Sequence, residues 1–391
     1  MSSTSATNQS SKDHLPRVFL LDPAILQTKK QMLSHDSDLQ AALQQLVQQA
    51  DELLHARLVS VVEKTQLPES GDIHDYLSLA PYWWPDPAKP DGLPYMHLDG
   101  QTNPGASEIP DKPNFQRMMP TIKTLALAYY FTDKEEYAAK VADFLRVWFL
   151  NPDTYMNPNL NHAQMVRGRN TGRAAGIIDA RALSTVVDSI GFIQRTSLWT
   201  AQDQQGMENW FRRFLDWLLT SPLGREEAAA RNNHGSWYDV LAASIALFVN
   251  KTEIARNIVE ASKARRIDRH IQADGSQPYE LTRTRSWHYS VFNLQALLIL
   301  SGLGDYVGVD LRNYATPEGA NLRTALDYLL PAAFNPQVWS YQEITAIKPE
   351  QIVDVLYLAT RYYHESAYLQ KAQAILGESA RNNLNNLIYG V

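Results

Sequence analysis

Cysteine is missing entirely from the 391 residues, which removes disulfide frameworks, thiolate zinc sites and a cysteine nucleophile together. No run approaches the roughly 18 to 20 consecutive apolar residues of a membrane helix, so no membrane partner is expected. A basic surplus is also lacking: 36 Lys and Arg stand against 42 Asp and Glu, for a formal charge of −6. A protein that neutralises many phosphates carries the opposite balance, so no nucleic-acid partner is expected. Histidine is scarce, with ten in the chain and none at His-x-x-x-His or His-Glu-x-x-His spacing, so neither a catalytic metal nor a cofactor is expected. Gly302-Leu303-Gly304 lacks the rest of a dinucleotide fingerprint and reads as a helix-ending turn. Met1 to Asp13 is polar and rich in Ser and Thr, without the charged start and apolar core of a secretory leader; either the protein works inside the cell or a leader has been removed. Residues 1–20 are expected to be disordered or vector-derived.

What is present suffices for a large core. Apolar residues make up 45% and charged residues 20% of the chain, an ordinary globular balance. Apolar side chains recur at helical spacing, beginning with Leu39, Leu43, Leu46, Leu53, Leu54 and Leu58, while strand-like alternation is scarce. The fold class is therefore all-α, or mainly α. Ile122 to Tyr130 is followed by Thr132 and Glu135 at capping-box spacing and by the stripe Tyr137, Val141, Phe144, Leu145 and Trp148. Similar helical pairs are predicted at 175–195 with 201–220, 236–249 with 253–272, 288–303 with 318–332 and 351–362 with 366–377. Serial antiparallel pairs without a repeating sequence period suggest an incomplete α/α toroid, a single domain over 21–391.

Two segments break the pattern. Leu79 to Pro113 is dense in Pro, Gly and aromatics, including Tyr82-Trp83-Trp84-Pro85-Asp86-Pro87, and a connection of this length reads as a lid. Asn151 to Asn170 is polar and turn-forming. The basic cluster Lys263, Arg265, Arg266 and Arg269 reads as a solvated helix face.

Chemistry concentrates in two runs, each just before an apolar helix. Arg231-Asn232-Asn233-His234-Gly235 admits the plain reading of an asparagine helix cap. Glu280-Leu281-Thr282-Arg283-Thr284-Arg285-Ser286-Trp287-His288-Tyr289 admits that of a charged helix start with an aromatic staple. Together they also supply what elimination from a uronic acid needs. Loss of the C5 proton spreads negative charge into the C6 carboxylate, which calls for donors such as Asn233, His234 and Arg283. A tyrosine beside cations can be drawn toward phenolate and move protons, which suits Tyr289.

The Tyr-Trp-Trp-Pro-Asp-Pro loop, Asn-Pro-Asn-Leu-Asn-His-Ala-Gln, Asn-Asn-His-Gly and Glu-Leu-Thr-Arg-Thr-Arg-Ser-Trp-His-Tyr resemble, in order and over about residues 70–305, the alginate lyase family of α/α-toroid polysaccharide lyases. The resemblance implies that Asn233, His234 and Arg283 neutralise the substrate carboxylate, and that Tyr289 is proton acceptor and donor. Arg283 and Tyr289 lie six positions apart, one fewer than in typical alginate lyases, which is similar to the branch holding polymannuronate and glucuronan lyases. It further implies that Tyr82 and Trp84 cover the bound sugar, that Gln164 and Arg169 line the cleft, and that Arg285 and His288 lie beside the substrate, Arg285 as the alternative carboxylate clamp. The expected partner is an acidic polysaccharide, poly-β-mannuronate before glucuronan. The expected location is periplasmic or secreted, with a cytoplasmic one left open. Rival readings are a hydrolase drawing on Asp179, Asp239, Asp274 or Glu280, and a non-catalytic glycan binder stacking sugars on Trp83, Trp84 and Trp287.

Overall fold

The computed structural model describes residues 15–389. Helices dominate, and the pairs read from the sequence are present: α1 (Pro23–Met32), α2 (Ser37–Leu54), α3 (Asp111–Thr132), α4 (Glu135–Leu145), α5 (Leu183–Ile193), α6 (Ala201–Thr220), α7 (Pro222–Ala228), α8 (Asn233–Phe248), α9 (Thr252–Ser262), α10 (Ser286–Asp305), α11 (Leu322–Phe334), α12 (Val353–Tyr363) and α13 (Ser366–Leu376). Four short strands accompany them: β1 (Leu77–Leu79), β2 (Trp83–Trp84), β3 (Met96–His97) and β4 (His162–Met165).

The packing order makes the ring. Helices α3, α5, α8, α10 and α12 each touch the next, forming an inner row, while outside it α4 packs on α3, α6 and α9 on α8, α11 on α10 and α13 on α12. Burial follows this division. Every residue of α8 except His234 is buried, and α10 is nearly so, because inner helices are covered on all sides. The outer helix α9 buries only Ala255, Val259 and Ser262. The ring is an incomplete α/α toroid whose seam is closed by the chain ends, since the short helix Asn385–Ile388 packs on α1 and α2.

Several local expectations are corrected. Residues 15–20, expected within a disordered or vector-derived start, are without helix or strand but packed into the fold: Val18 and Phe19 are buried, and the backbone N–H groups of Phe19, Leu20 and Leu21 donate to the Asp188 carboxylate of α5. The remainder of that expectation, residues 1–14, lies outside the described residues. Thr132 and Glu135 form no capping box. Asp133 takes a left-handed backbone (φ 58°) and ends α3 by donating its N–H to Tyr129, which moves the next N-cap to Lys134. Gly302 and Gly304 lie inside α10 rather than ending it; a Cβ at Gly302 would meet the Tyr362 hydroxyl at 2.1 Å, so close packing explains that glycine. Arg266 is buried instead of solvated, paired with Asp239 at 2.7 Å and donating to the carbonyls of Ala228 and Ala230.

The segment expected as a lid runs from Ala80 to Pro110, with Pro113 already inside α3. Its frame is a small antiparallel hairpin, Trp83 opposite His97 and Trp84 opposite Met96. The polar segment 151–170 supplies β4, which pairs in parallel with β1 at the root of this roof.

Candidate active site

Asn232 takes the plain role: as N-cap of α8 its side chain accepts the His234 N–H at 3.2 Å. That frees Asn233, whose side chain turns inward and is 1% exposed. Its Nδ2 donates to Glu280 at 2.8 Å and its backbone N–H donates to the same carboxylate at 2.6 Å, while its Oδ1 is buried without a partner. Glu280 sits in the one-turn helix Pro278–Leu281. Burial pushes its carboxyl up to about 7, against the opposing donors of Asn233 and the charges of Arg283 and His234. His234 is part-exposed, with Nδ1 2.7 Å from Glu227 of α7, which leaves Nε2 for a ligand. The following glycine is required by space, since a Cβ at Gly235 would meet Ala230 O at 2.3 Å and Arg266 Nη1 at 2.4 Å.

Tyr289 stands in the first turn of α10. Glu343, far along the chain, caps that helix by accepting from the Trp287 N–H and the Ser286 hydroxyl. The Tyr289 and Tyr82 hydroxyls are 2.7 Å apart, and the Arg283 guanidinium carbon lies 3.7 Å from the Tyr289 ring centroid. Here the structure overturns one expectation. Tyr289 is pushed well above the ordinary phenol range, because burial and its bond to Tyr82 outweigh the pull of Arg283. Near neutral pH it is therefore a phenol rather than a standing phenolate.

Arg283 itself is held by Asp99 of the roof. Its Nε lies 3.1 Å from both carboxylate oxygens and its Nη2 2.6 Å from Oδ1, while Asp99 also accepts the Thr284 N–H at 3.0 Å and its hydroxyl at 3.0 Å. Arg285 is not on the Tyr289 ring; its Nε is buried without a partner and its backbone bridges to Glu343. His288 packs edge-on against Tyr289, stacks on Phe292 and lies 3.2 Å from the Gln351 amide. Burial and the nearby arginines drop its imidazole to about 4, so it is neutral near pH 7.

The roof aromatics divide. Trp83 lies against His97 and under the guanidinium groups of Arg169 and Arg173, at 5.0 and 5.9 Å. Trp84 instead donates its indole N–H to Gln101 O at 2.9 Å. Arg169 is exposed and ties the roof by donating to Tyr95 O at 2.7 Å. Together with Tyr95 and Arg167 it edges an open groove of about 580 Å³. Gln164, expected to line the cleft, is 4% exposed: it accepts from Arg173 at 2.7 Å and donates to Asp179 at 2.9 Å, so it supports Arg173 from below.

The residues read from sequence are held by partners not expected from it, Glu227, Asp99, Arg173 and His97, and by Glu280 and Trp83, which were expected in other roles. Glu280, which opens the Glu-Leu-Thr-Arg motif and was expected as a carboxylate for hydrolysis, instead holds Asn233; nothing local marks Asp99. The carboxylates considered for hydrolysis are otherwise engaged. Asp179 binds Lys112 at 2.9 Å, Asp239 binds Arg266, Glu280 binds Asn233, and Asp274 accepts the Ser276 N–H of its own turn. Among the described residues no group of three His, Asp or Glu converges as a metal site, and no helix is long and apolar enough to cross a membrane.

A helical toroid with a roofed cluster of tyrosine, arginine and histidine defines a class, the α/α-toroid polysaccharide lyases. The chain belongs to the alginate lyase family, whose model matches residues 60–339. A crystallised alginate lyase from Bacteroides ovatus is 35% identical and superposes with a TM-score of 0.92, covering 96% of this chain and 100% of that one. Alginate lyase A1-III from Sphingomonas species A1 shares the fold at 18% identity and a TM-score of 0.62, with both chains covered in full. A search among proteins of curated function finds no match.

Proposed function

We propose that the protein cleaves β-1,4-linked uronate polymers by syn β-elimination, with poly-β-mannuronate the preferred substrate. The observation that carries the reading is the Tyr82–Tyr289–Arg283 cluster: a phenol with a second hydroxyl at 2.7 Å and a cation on its ring face. His234 and Arg283 neutralise the C6 carboxylate, with Asn233 ordering the turn that presents His234. As substrate enters, Tyr289 gives its proton to solvent, and the Tyr82 hydroxyl, donating to the oxygen left behind, and the Arg283 cation stabilise the phenolate. The phenolate takes the C5 proton, the C4–C5 double bond forms as the C4–O4 bond breaks, and Tyr289 returns a proton to O4. The net transfer is one proton from C5 to O4.

One tyrosine serves both steps only when C5–H and O4 share a face of the sugar. Mannuronate and glucuronate meet that condition, and guluronate does not. Substrates of this size are met outside the cytoplasm, which supports a periplasmic or secreted location. The test is to incubate the purified protein with polymannuronate, polyguluronate and glucuronan side by side and follow the ultraviolet absorbance of the unsaturated uronate end. Fastest release is expected from polymannuronate, with glucuronan second. Tyr289→Phe should abolish turnover while still binding polymer. Measurable turnover by that variant, or a preference for polyguluronate, would discard the single-tyrosine mechanism.

A further inference from the structure

The carboxylate that Arg283 meets in this structure is not a sugar's. Asp99 accepts from both Nε and Nη2, so the side-on fork of the guanidinium is already occupied, leaving Nη1 and the second Nη2 N–H on its other edge. Two explanations compete. Asp99 could be a plug that substrate displaces, or a permanent anchor that decides where the guanidinium lies.

The surroundings favour the anchor. Asp99 is bound by more than Arg283: the Thr284 N–H and hydroxyl both reach its carboxylate, and that hydroxyl lies 2.8 Å from its main-chain carbonyl. The next residue, Gly100, has φ +72° and presses on the same turn, where a Cβ would meet the Thr284 hydroxyl at 2.4 Å, Ile344 at 3.0 Å and Arg285 at 3.2 Å. Ile344 in turn donates its N–H to Thr284 O at 2.9 Å. Three separate stretches of chain are laced together around this carboxylate. The hydrogen bonds also hold the Asp99 carboxyl at about 2 although burial works to raise it, so the anchor stays ionised through the neutral range.

We infer that Asp99 is a positioning residue: it holds the Nε–Nη2 edge of Arg283 so that the guanidinium sits over the Tyr289 ring, 3.7 Å from its centroid, and Arg283 serves the reaction through Tyr289 rather than by gripping the sugar with that edge. The inference rests on the elimination chemistry proposed above. It assigns most of the carboxylate binding to His234 and other cleft groups, and makes the roof and the start of α10 one rigid unit.

The experiment compares Asp99→Ala, Asp99→Asn, Arg283→Ala, Arg283→Lys and the Asp99→Ala/Arg283→Ala pair, measuring kcat and KM on the polymer that the wild type cleaves best, with thermal unfolding recorded for each. Asp99→Ala is expected to lower kcat roughly tenfold to a hundredfold, the scale of a misplaced reacting group, while KM changes little. Asp99→Asn keeps two acceptor lone pairs and should fall between it and the wild type. Arg283→Lys keeps the charge but lacks the fork, and should fall with Asp99→Ala. The double variant should be no slower than Arg283→Ala, because both act through one contact. A plug predicts the reverse, with KM falling and kcat held, and that result overturns the inference; so does an additive double variant, or a rise in KM matching the loss in kcat. A wild type that releases no unsaturated product from any uronan discards the proposed reaction instead, a result separable from a wild-type rate that Asp99→Ala leaves unchanged.

Discussion

Glu280 shows how a site residue can be in plain view and still be misread. In the sequence it is one carboxylate in a charged run; in the fold it is 1% exposed and receives both donors of Asn233, 47 positions away. Its ionised form accepts both bonds and its protonated form cannot. With the carboxyl raised to about 7, activity should climb with pH through a limb centred near pH 7, as Glu280 loses its proton and Asn233 is fixed. In Glu280→Gln that limb should vanish from the kcat/KM profile; its persistence would assign it to another group. The two arginines give a second comparison. Arg283 lies on Tyr289 and Arg285 does not, so Arg283→Ala should cost roughly 100-fold or more in kcat and Arg285→Ala distinctly less, measured on polymer. Asn233, His234, Arg283 and Tyr289 were legible because two short motifs carry them. Asp99 was not, because 184 residues separate it from Arg283 and only the fold joins them.

Among the elements, the inner helices were the easiest to foresee and the roof the hardest. The helical stretches read from the sequence survive into α8, α10 and α12 within a few residues, while α5 starts later than expected because 174–180 form a 3-10 helix. Helices α8 and α10 are apolar nearly all round, which lets them be covered on every side. The roof depends on which of two adjacent tryptophans faces which way, and consecutive residues of a strand point to opposite sides. Reading Trp84 as the sugar cover took one of two equal options. The contacts of Trp83 with His97, Arg169 and Arg173 favour the other. Trp83→Ala should therefore raise KM by about tenfold, and Trp84→Ala, which gives up one bond to Gln101 O, by less. Equal KM values for the two variants in initial-rate assays would show that the roof contributes to binding as a whole. The capping box expected at Thr132 failed for a related reason: spacing alone does not reveal that Asp133 adopts a left-handed turn.

Over the whole molecule, the Asp188 carboxylate is the largest unforeseen feature. Buried in α5, it gathers the N–H groups of residues 19–21 and is pushed up to about 7 by burial, from an ordinary 3.8. An acid with a raised folded pKa favours the native state while protonated. Its contribution is full below about pH 4 and declines as pH rises toward 7. Asp188→Ala leaves three buried or half-buried donors without an acceptor and should destabilise the fold by about 3 kcal/mol or more, read from urea unfolding. Asp188→Asn should flatten the pH dependence between 4 and 7 relative to the wild type, and an unchanged slope would remove Asp188 from the account.

The same segment meets the far end of the chain. The Tyr306 hydroxyl donates to the carbonyls of Val18 and Leu21, 288 and 285 positions away, and Arg361 reaches Leu20 O and Asp22 across 341 and 339 positions. During synthesis the segment around residues 18–22 leaves the ribosome well before α10 and α12, and these contacts do not exist until both have followed it. Val18, Phe19 and Leu21, buried in the fold, must wait exposed until then. The toroid therefore closes only after α12 has been made, and the segment that waits for it is the one most in need of shelter in the meantime.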